Sequence, residues 1–302
     1  MTRLREKMIK AMDLRNLASN TKRYYLSAVT GLSRHYKQSP DQITQEMIED
    51  YLLYLKNDKG NTPGSCSTVA CGLRFFYNHV ADTPVSFQYR FSNKGSKLPT
   101  VLTQEEVWNI IDAPKSLKHR MILMTTYSAG LRAGEVAALK PENIDSKSML
   151  IKVEKGKGGK QRYTILATML LEELRQYYKI FQPETNLFPS SYKQRKNQHL
   201  TYQSIRNIYE NARKKAGVKR GVGIHTLRHC FGTHLLEAGY DIRRIQVLMG
   251  HRRLSTTMIY LHVSRKTLSK IPSPLDLFDP CLLYTSDAAD DFAVVFVGGV
   301  GG

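Results

Sequence analysis

The run from His225 to Tyr260, HTLRHCFGTHLLEAGYDIRRIQVLMGHRRLSTTMIY, constrains this chain more than any other stretch. Its opening sets His225 and Arg228 three residues apart. On a helix, that spacing puts an imidazole and a guanidinium side by side. Leu227, Phe231, Leu235 and Leu236 supply an inward apolar face, and Gly239 can end the helix. Asp241 reads as the N-cap of a second short helix, with Ile242, Ile245, Val247 and Leu248 turned inward. Gly250 stops it just before His251, and Ser255, Thr256 and Thr257 open a third helix that carries Tyr260. The pattern predicts one compact helical unit in which two histidines, an arginine and a tyrosine converge.

Those residue types suit a phosphate. Arginine grips its oxygens with a bidentate fork, and histidine can give it a proton or a hydrogen bond. Tyrosine is a weak nucleophile at its free pKa of about 10, and nearby cations are expected to lower that value and stabilise phenolate. It is also a good leaving group, so a phosphotyrosyl bond can be made and reversed, as cutting and rejoining a phosphodiester requires. An HxxR pair alone is as often a surface feature, and an isolated Tyr usually belongs to a core. The ordered set is what points to chemistry.

HTLRH, LMGH and a tyrosine nine residues beyond His251 resemble the C-terminal signature of the tyrosine recombinase (phage integrase) family. The resemblance implies an earlier arginine at a GLRxxE-type helix start and a lysine in a β-hairpin between the two arginines. Both motifs are present. In Ala129-Gly130-Leu131-Arg132-Ala133-Gly134-Glu135, Gly130 breaks one helix and Arg132 opens the next, where free N–H groups and the helix dipole favour an anion. Glu135 lies one turn on and is expected to fix the guanidinium rather than react. Two alternating strands, Met149–Glu154 and Arg162–Leu166, flank the turn Lys155-Gly156-Lys157-Gly158-Gly159-Lys160-Gln161, whose glycines suit a tight hairpin. By resemblance the catalytic lysine is Lys157; Lys155 and Lys160 share the turn and stay candidates.

The resemblance implies a DNA cleaving and rejoining enzyme. Tyr260 would attack the scissile phosphate to give a 3′-phosphotyrosyl link and a free 5′-hydroxyl. Arg132 and Arg228 would hold the non-bridging oxygens, with Lys157 as general acid to the leaving oxygen. His225 would assist proton transfer at the nucleophile, His251 would hydrogen-bond the phosphate, and His229 would orient the Arg228 helix. Bond energy is kept in the phosphotyrosine, so no cofactor, ATP or metal is expected. His225 and His229 have H-x3-H spacing, but no carboxylate or cysteine completes a ligand set. Two rival readings use similar residues: a type IB topoisomerase-like enzyme that relaxes DNA, and a non-catalytic DNA-binding accessory protein on the same fold.

Charge agrees with a polyanion partner. Lys and Arg number 45 against 26 Asp and Glu, and the whole basic excess lies before Ile271. Cys66, Cys71, Cys230 and Cys281 have no CxxC or zinc-type spacing and fit free thiols in a reducing cytoplasm. The charged N-terminus is unlike a signal peptide, and no apolar run approaches a membrane span.

The fold expected is mainly α, with a small antiparallel β-hairpin. Residues 1–82 carry three apolar helical stripes: Tyr25, Ala28, Val29, Leu32 and Tyr36, closed by Pro40; Ile48, Tyr51, Leu52 and Leu55; and Val69, Leu73, Phe76, Tyr77 and Val80. This part resembles the family's core-binding domain, with Lys22, Arg23, Arg34, Lys37 and Arg74 off the stripes. Residues 83–100 read as a linker. A mixed α/β catalytic domain spans 101–279, opened by a capping box from Thr103 to Glu106. Its buried helix holds Met121 to Met124 and Tyr127, and a later one Met169, Leu170, Leu174, Tyr177 and Tyr178. Arg213, Lys214, Lys215, Lys219 and Arg220 form a basic cluster expected to face phosphates along with Lys155 and Lys160. By resemblance, the segment after Tyr260 docks on a neighbouring protomer, two protomers per site, giving a tetramer on double-stranded DNA. Residues 280–302, without a cation and ending Gly-Gly-Val-Gly-Gly, read as a non-native or disordered tail.

Overall fold

In a computed structural model of the chain, residues 3–81, 98–154, 161–190 and 199–263 are described. The chain divides into two compact units, Met1–Lys97 and Leu98–Gly302.

The first unit is helical: α1 (Arg3–Leu14), α2 (Ser19–Tyr36), α3 (Gln45–Asn57) and α4 (Pro63–His79). The three expected stripes become the core, with Leu32, Ile48, Leu52, Leu73 and Phe76 buried. A further helix not resolved by the sequence pattern, α1, adds Met8 and Met12 to it. Burying each such side chain contributes roughly 1.5–3 kcal/mol. α2 ends at Lys37 in the left-handed region (φ 53°), not at Pro40, which instead starts a 3-10 turn. Thr44 and Thr62 cap α3 and α4 through their hydroxyls.

The second unit begins with the expected capping box: Thr103 Oγ1 accepts from the Glu106 amide and Glu106 returns a bond to the Thr103 amide. It starts α5 (Gln104–Asp112). α6 (Leu117–Ser128) is buried from Met121 to Thr126 and forms the spine of the unit, packed by α5, α8 (Thr168–Phe181) and α10 (His225–Glu237). Within α8, Met169 and Tyr178 lie on the exposed side, while Leu170, Leu171, Leu174 and Tyr177 face in. Before α8 stands an antiparallel sheet of β1 (Ile144–Asp145), β2 (Leu150–Val153) and β3 (Arg162–Ile165) in that order. The hairpin strands are therefore shorter than Met149–Glu154 and Arg162–Leu166, and β1 is an addition. Ile151 and Val153 alternate inward, and Val153 pairs with Arg162.

α9 (Tyr202–Lys215) leads to α10, α11 (Ile242–Met249) and α12 (Ser255–Val263). Gly239 closes α10 at φ 89°, with its amide on the Leu236 carbonyl and that of Tyr240 on Leu235. Asp241 caps α11 by accepting from the Arg243 and Arg244 amides. One expectation fails there: Val247 is 68% exposed. One helical turn from Ile245 falls at Met249, which is buried, whereas Val247 lies on the opposite face. The far side of α10 holds the start of the unit. Cys230 Sγ accepts from the Leu102 amide at 3.2 Å, and His234 Nε2 donates to the Leu102 carbonyl at 2.9 Å while its Nδ1 meets the Tyr127 hydroxyl at 2.8 Å.

Candidate active site

The site forms where α10, the short helix α7 (Ala133–Ala137), the end of α11 and α12 meet. Gly130 makes the meeting possible. Its φ is +59°, and a β-carbon there would lie 2.3 Å from Phe231 Cδ1. Only glycine allows the chain to pass Phe231 and deliver Arg132.

Glu135 is the electrostatic centre, 8% exposed. Its Oε1 accepts from Arg132 Nη1 at 2.8 Å and its Oε2 from the Arg132 amide at 2.8 Å. The sequence pattern missed Arg162 of β3, which forks onto both carboxylate oxygens at 2.8 Å each. Arg228 Nη1 lies 3.7 Å from Oε2. Burial pushes the Glu135 carboxyl up, but the bonds and charges of Arg162 and Arg132 outweigh it and hold the pKa at about 2. The expected open amides at the start of α7 are thus partly occupied by Glu135 itself.

Arg228 is 4% exposed. Two of its five N–H groups go to the carbonyls of Gly130 and Met249, at 2.5 Å each. Burial, then Arg132, lower its pKa to about 10, so it stays a cation at neutral pH. Arg132 and Arg228 therefore stand around one carboxylate from two distant parts of the sequence.

Three histidines border this cluster, all shifted toward the neutral form. His225, exposed on the first turn of α10, has its pKa lowered by partial desolvation and by Arg228 and Arg132. His229 is held at about 4 by burial, His225 and Arg228. His251 is held at about 3 by burial and then by Arg228 and Arg132. His251 follows Gly250, whose φ is +63°, and its Nδ1 meets the hydroxyl of buried Thr257 at 2.9 Å.

Tyr260 corrects an expectation. It is 1% exposed, with its ring on Gly232 and Met249. Its hydroxyl is hydrogen-bonded with His229 Nδ1 at 3.3 Å, and its ring stacks 6.4 Å from that of His251. Desolvation outweighs the charges of Arg228 and Arg132 and pushes the phenol up to about 12, not below its ordinary value. The histidine hydrogen-bonded to the phenol in this arrangement is His229, while the resemblance implies a part for His225 in proton transfer at the nucleophile.

Of the expected DNA-facing cations, Arg34, Lys214 and Lys219 are exposed, Arg74 is half-buried, and Arg23 lies over the Tyr24 ring at 5.4 Å. Lys22 pairs with Asp13, Lys215 reaches the Ala113 carbonyl, and Arg220 forks onto Glu106. Arg213 does not face outward. It is 8% exposed, paired with Glu210 at 2.8 Å and donating to the carbonyls of Val218 and Lys219. Lys155, Lys157 and Lys160, residues 83–97 of the expected linker, and everything after Val263, including the expected docking segment and the 280–302 tail, lie outside the described residues.

Comparison with known proteins places these observations. Residues 100–267 match the model of the phage integrase family, and residues 4–86 match that of a phage integrase N-terminal SAM-like domain. The chain is 38% identical over 279 residues to a Sinorhizobium fredii protein named "Putative integrase/recombinase y4qK", covering 92% of this chain and 90% of that one. It is 31% identical to the tyrosine recombinase XerA of Thermococcus kodakarensis, covering 89% and 93%. The crystal structure of a XerA recombinase superposes with a TM-score of 0.52 at 27% identity, covering 88% of this chain and 95% of that one. A lambda integrase fragment bound to a core site shares the fold, with a TM-score of 0.65 at 21% identity and 85% and 93% coverage.

Proposed function

Because the chain belongs to the phage integrase family of tyrosine recombinases, we propose that the cluster around Glu135 is its strand-cleaving centre and that Tyr260 is the nucleophile. The observation that carries the reading is the gathering of Arg132 and Arg228 on one buried carboxylate, with the Tyr260 hydroxyl of α12 against His229, the residue that follows Arg228 on α10. A scissile phosphodiester at this point receives two guanidinium groups on its non-bridging oxygens, which offset the charge that grows in the five-coordinate transition state. Tyr260 Oη bonds to phosphorus, the bond to the 5′-oxygen breaks, and a 3′-phosphotyrosyl link and a 5′-hydroxyl result. Lys157 supplies the proton to that oxygen, and His225 assists removal of the phenolic proton once Tyr260 has left its seat against His229. A Thr257 hydroxyl that donates to Nδ1 would leave His251 a proton on Nε2 to give to a phosphate oxygen. Attack by the 5′-hydroxyl of a partner strand reverses the chemistry.

The buried phenol defines a resting state. A phenol at about 12 facing an imidazole at about 4 keeps its proton, so the unbound chain holds its nucleophile in a neutral form. Tyr260 leaves this seat before it attacks. Around the centre we assign a helical DNA-clamping domain to residues 1–82, a linker to 83–100, a catalytic domain to 101–279, and no function to 280–302. The substrate is double-stranded DNA bound by two protomers per site and four per synapse, with exchange of the segment after α12. The enzyme acts in the cytoplasm; among the described residues no helix is long and apolar enough to cross a membrane.

The test is a duplex carrying the chain's recombination site with a nick beside the cleavage point, so that the short cleaved strand diffuses away. A covalent adduct should accumulate with the native chain and vanish with Tyr260→Phe, which should still bind the duplex. An adduct that survives this substitution refutes the nucleophile. Equal relaxation of a supercoiled plasmid lacking any site would make the enzyme topoisomerase-like instead.

A further inference from the structure

Arg162 has no place in the chemistry described above, yet its guanidinium makes three hydrogen bonds at the site. Its fork takes both oxygens of Glu135. Its Nε donates to the Leu248 carbonyl at 3.0 Å, at the end of α11. Its aliphatic stem covers Gly250 so closely that a β-carbon there would lie 2.6 Å from Cδ. One side chain from β3 thus joins the helix start that carries Arg132 to the turn that delivers His251.

The charge balance explains why such a group is needed. A buried carboxylate attracts whatever cation can reach it, and an unpaired one is costly. Arg132 and Arg228 both reach Glu135. Were Glu135 to rely on them alone, each would turn its fork inward and offer fewer donors to a phosphate. With Arg162 filling both oxygens, Arg132 makes a single side-chain contact to the carboxylate and Arg228 stands off at 3.7 Å.

We propose that Arg162 is a positioning residue: as the standing counter-ion of Glu135, it leaves Arg132 and Arg228 with uncommitted donors aimed at the scissile phosphate. The inference rests on the reading that those two arginines hold that phosphate. It predicts a rescue that a purely structural role does not. In the full chain with the nicked duplex, Arg162→Met should slow adduct formation about 100-fold, with DNA affinity changed less than threefold. Replacing the carboxylate as well, in Arg162→Met/Glu135→Gln, should recover at least tenfold of that loss, because no buried anion remains to draw in the other guanidinium groups. A double variant as slow as, or slower than, Arg162→Met overturns the proposal. If Arg162→Met does not fold, Arg162→Gln with and without Glu135→Gln is read the same way. Should Arg228→Ala cleave like the native chain, the reading of the site falls instead, and the two failures are told apart.

Discussion

Gly232 sits on α10 beneath the Tyr260 ring, and replacing it with alanine tests whether that ring occupies its interior seat in solution. A β-carbon at this position would lie 2.7 Å from Cε2 and 2.9 Å from Cζ of Tyr260, and 3.0 Å from Met249 Sδ. Carbon atoms in contact prefer about 3.5–4.0 Å, so the ring has to withdraw by close to an ångström. Tyr260 and Met249 are both fully buried, and overpacking of this kind costs about 1–3 kcal/mol. Alanine regains roughly 1 kcal/mol of helix propensity, so Gly232→Ala should destabilise by about 0–2 kcal/mol. In a Tyr260→Ala background the ring is gone, and the same change should be neutral or stabilising by up to about 1 kcal/mol. The coupling in the double-mutant cycle is then about 1–3 kcal/mol. The chain's one tryptophan, Trp108, lies in α5, so urea unfolding followed by its fluorescence reports the second unit alone. Equal costs of Gly232→Ala in both backgrounds would refute the buried seat.

Three further outcomes are expected. Arg228→Ala should lose about 3–4 kcal/mol of transition-state stabilisation, seen as a 10²–10³-fold slower adduct formation with little change in DNA affinity; an equal fall in affinity would make it a docking contact. Stability should fall on acidification in two stages. His229 and His251, held at about 4 and 3, are neutral when folded and protonate more readily when unfolded, so stability present above pH 6.5 declines below it. Glu135, held at about 2, extends the loss below pH 4.5; urea midpoints that stay flat from pH 7 to 4 contradict this. Arg213→Met should cost about 3 kcal/mol in urea unfolding by breaking a buried pair, without altering the salt dependence of DNA binding. Lys214→Ala should leave stability intact and reduce that salt slope by about 1, and the reverse pattern would restore Arg213 to the interface.

The sequence exposed the reagents more clearly than their resting arrangement. Glycines before Arg132 and His251 and the cap at Asp241 are local signals, so the helix starts and stops around the site were readable. Arg162 was not, because a polar residue opening a strand looks solvent-facing until its partner is known, and Glu135 lies 27 residues away. Its position beside the glycine turn and ahead of an alternating strand was the only signal available. Arg213 was misread for a related reason: a run of three cations conceals the one whose carboxylate partner sits a turn earlier on the inner face. The burial of Tyr260 depends on Gly232, whose missing side chain makes room for a ring 28 residues later. Val247 shows the opposite error, in which consecutive apolar letters hid a helical face.

α10 is moored on one flank by Cys230 and His234, both gripping Leu102, and it carries Arg228 on another. Leu102 lies four residues after the second unit begins at Leu98, so the start of that unit is tied to α10 by two side chains. The same rod that supplies the guanidinium is therefore also the anchorage for the first turn of chain in its own unit.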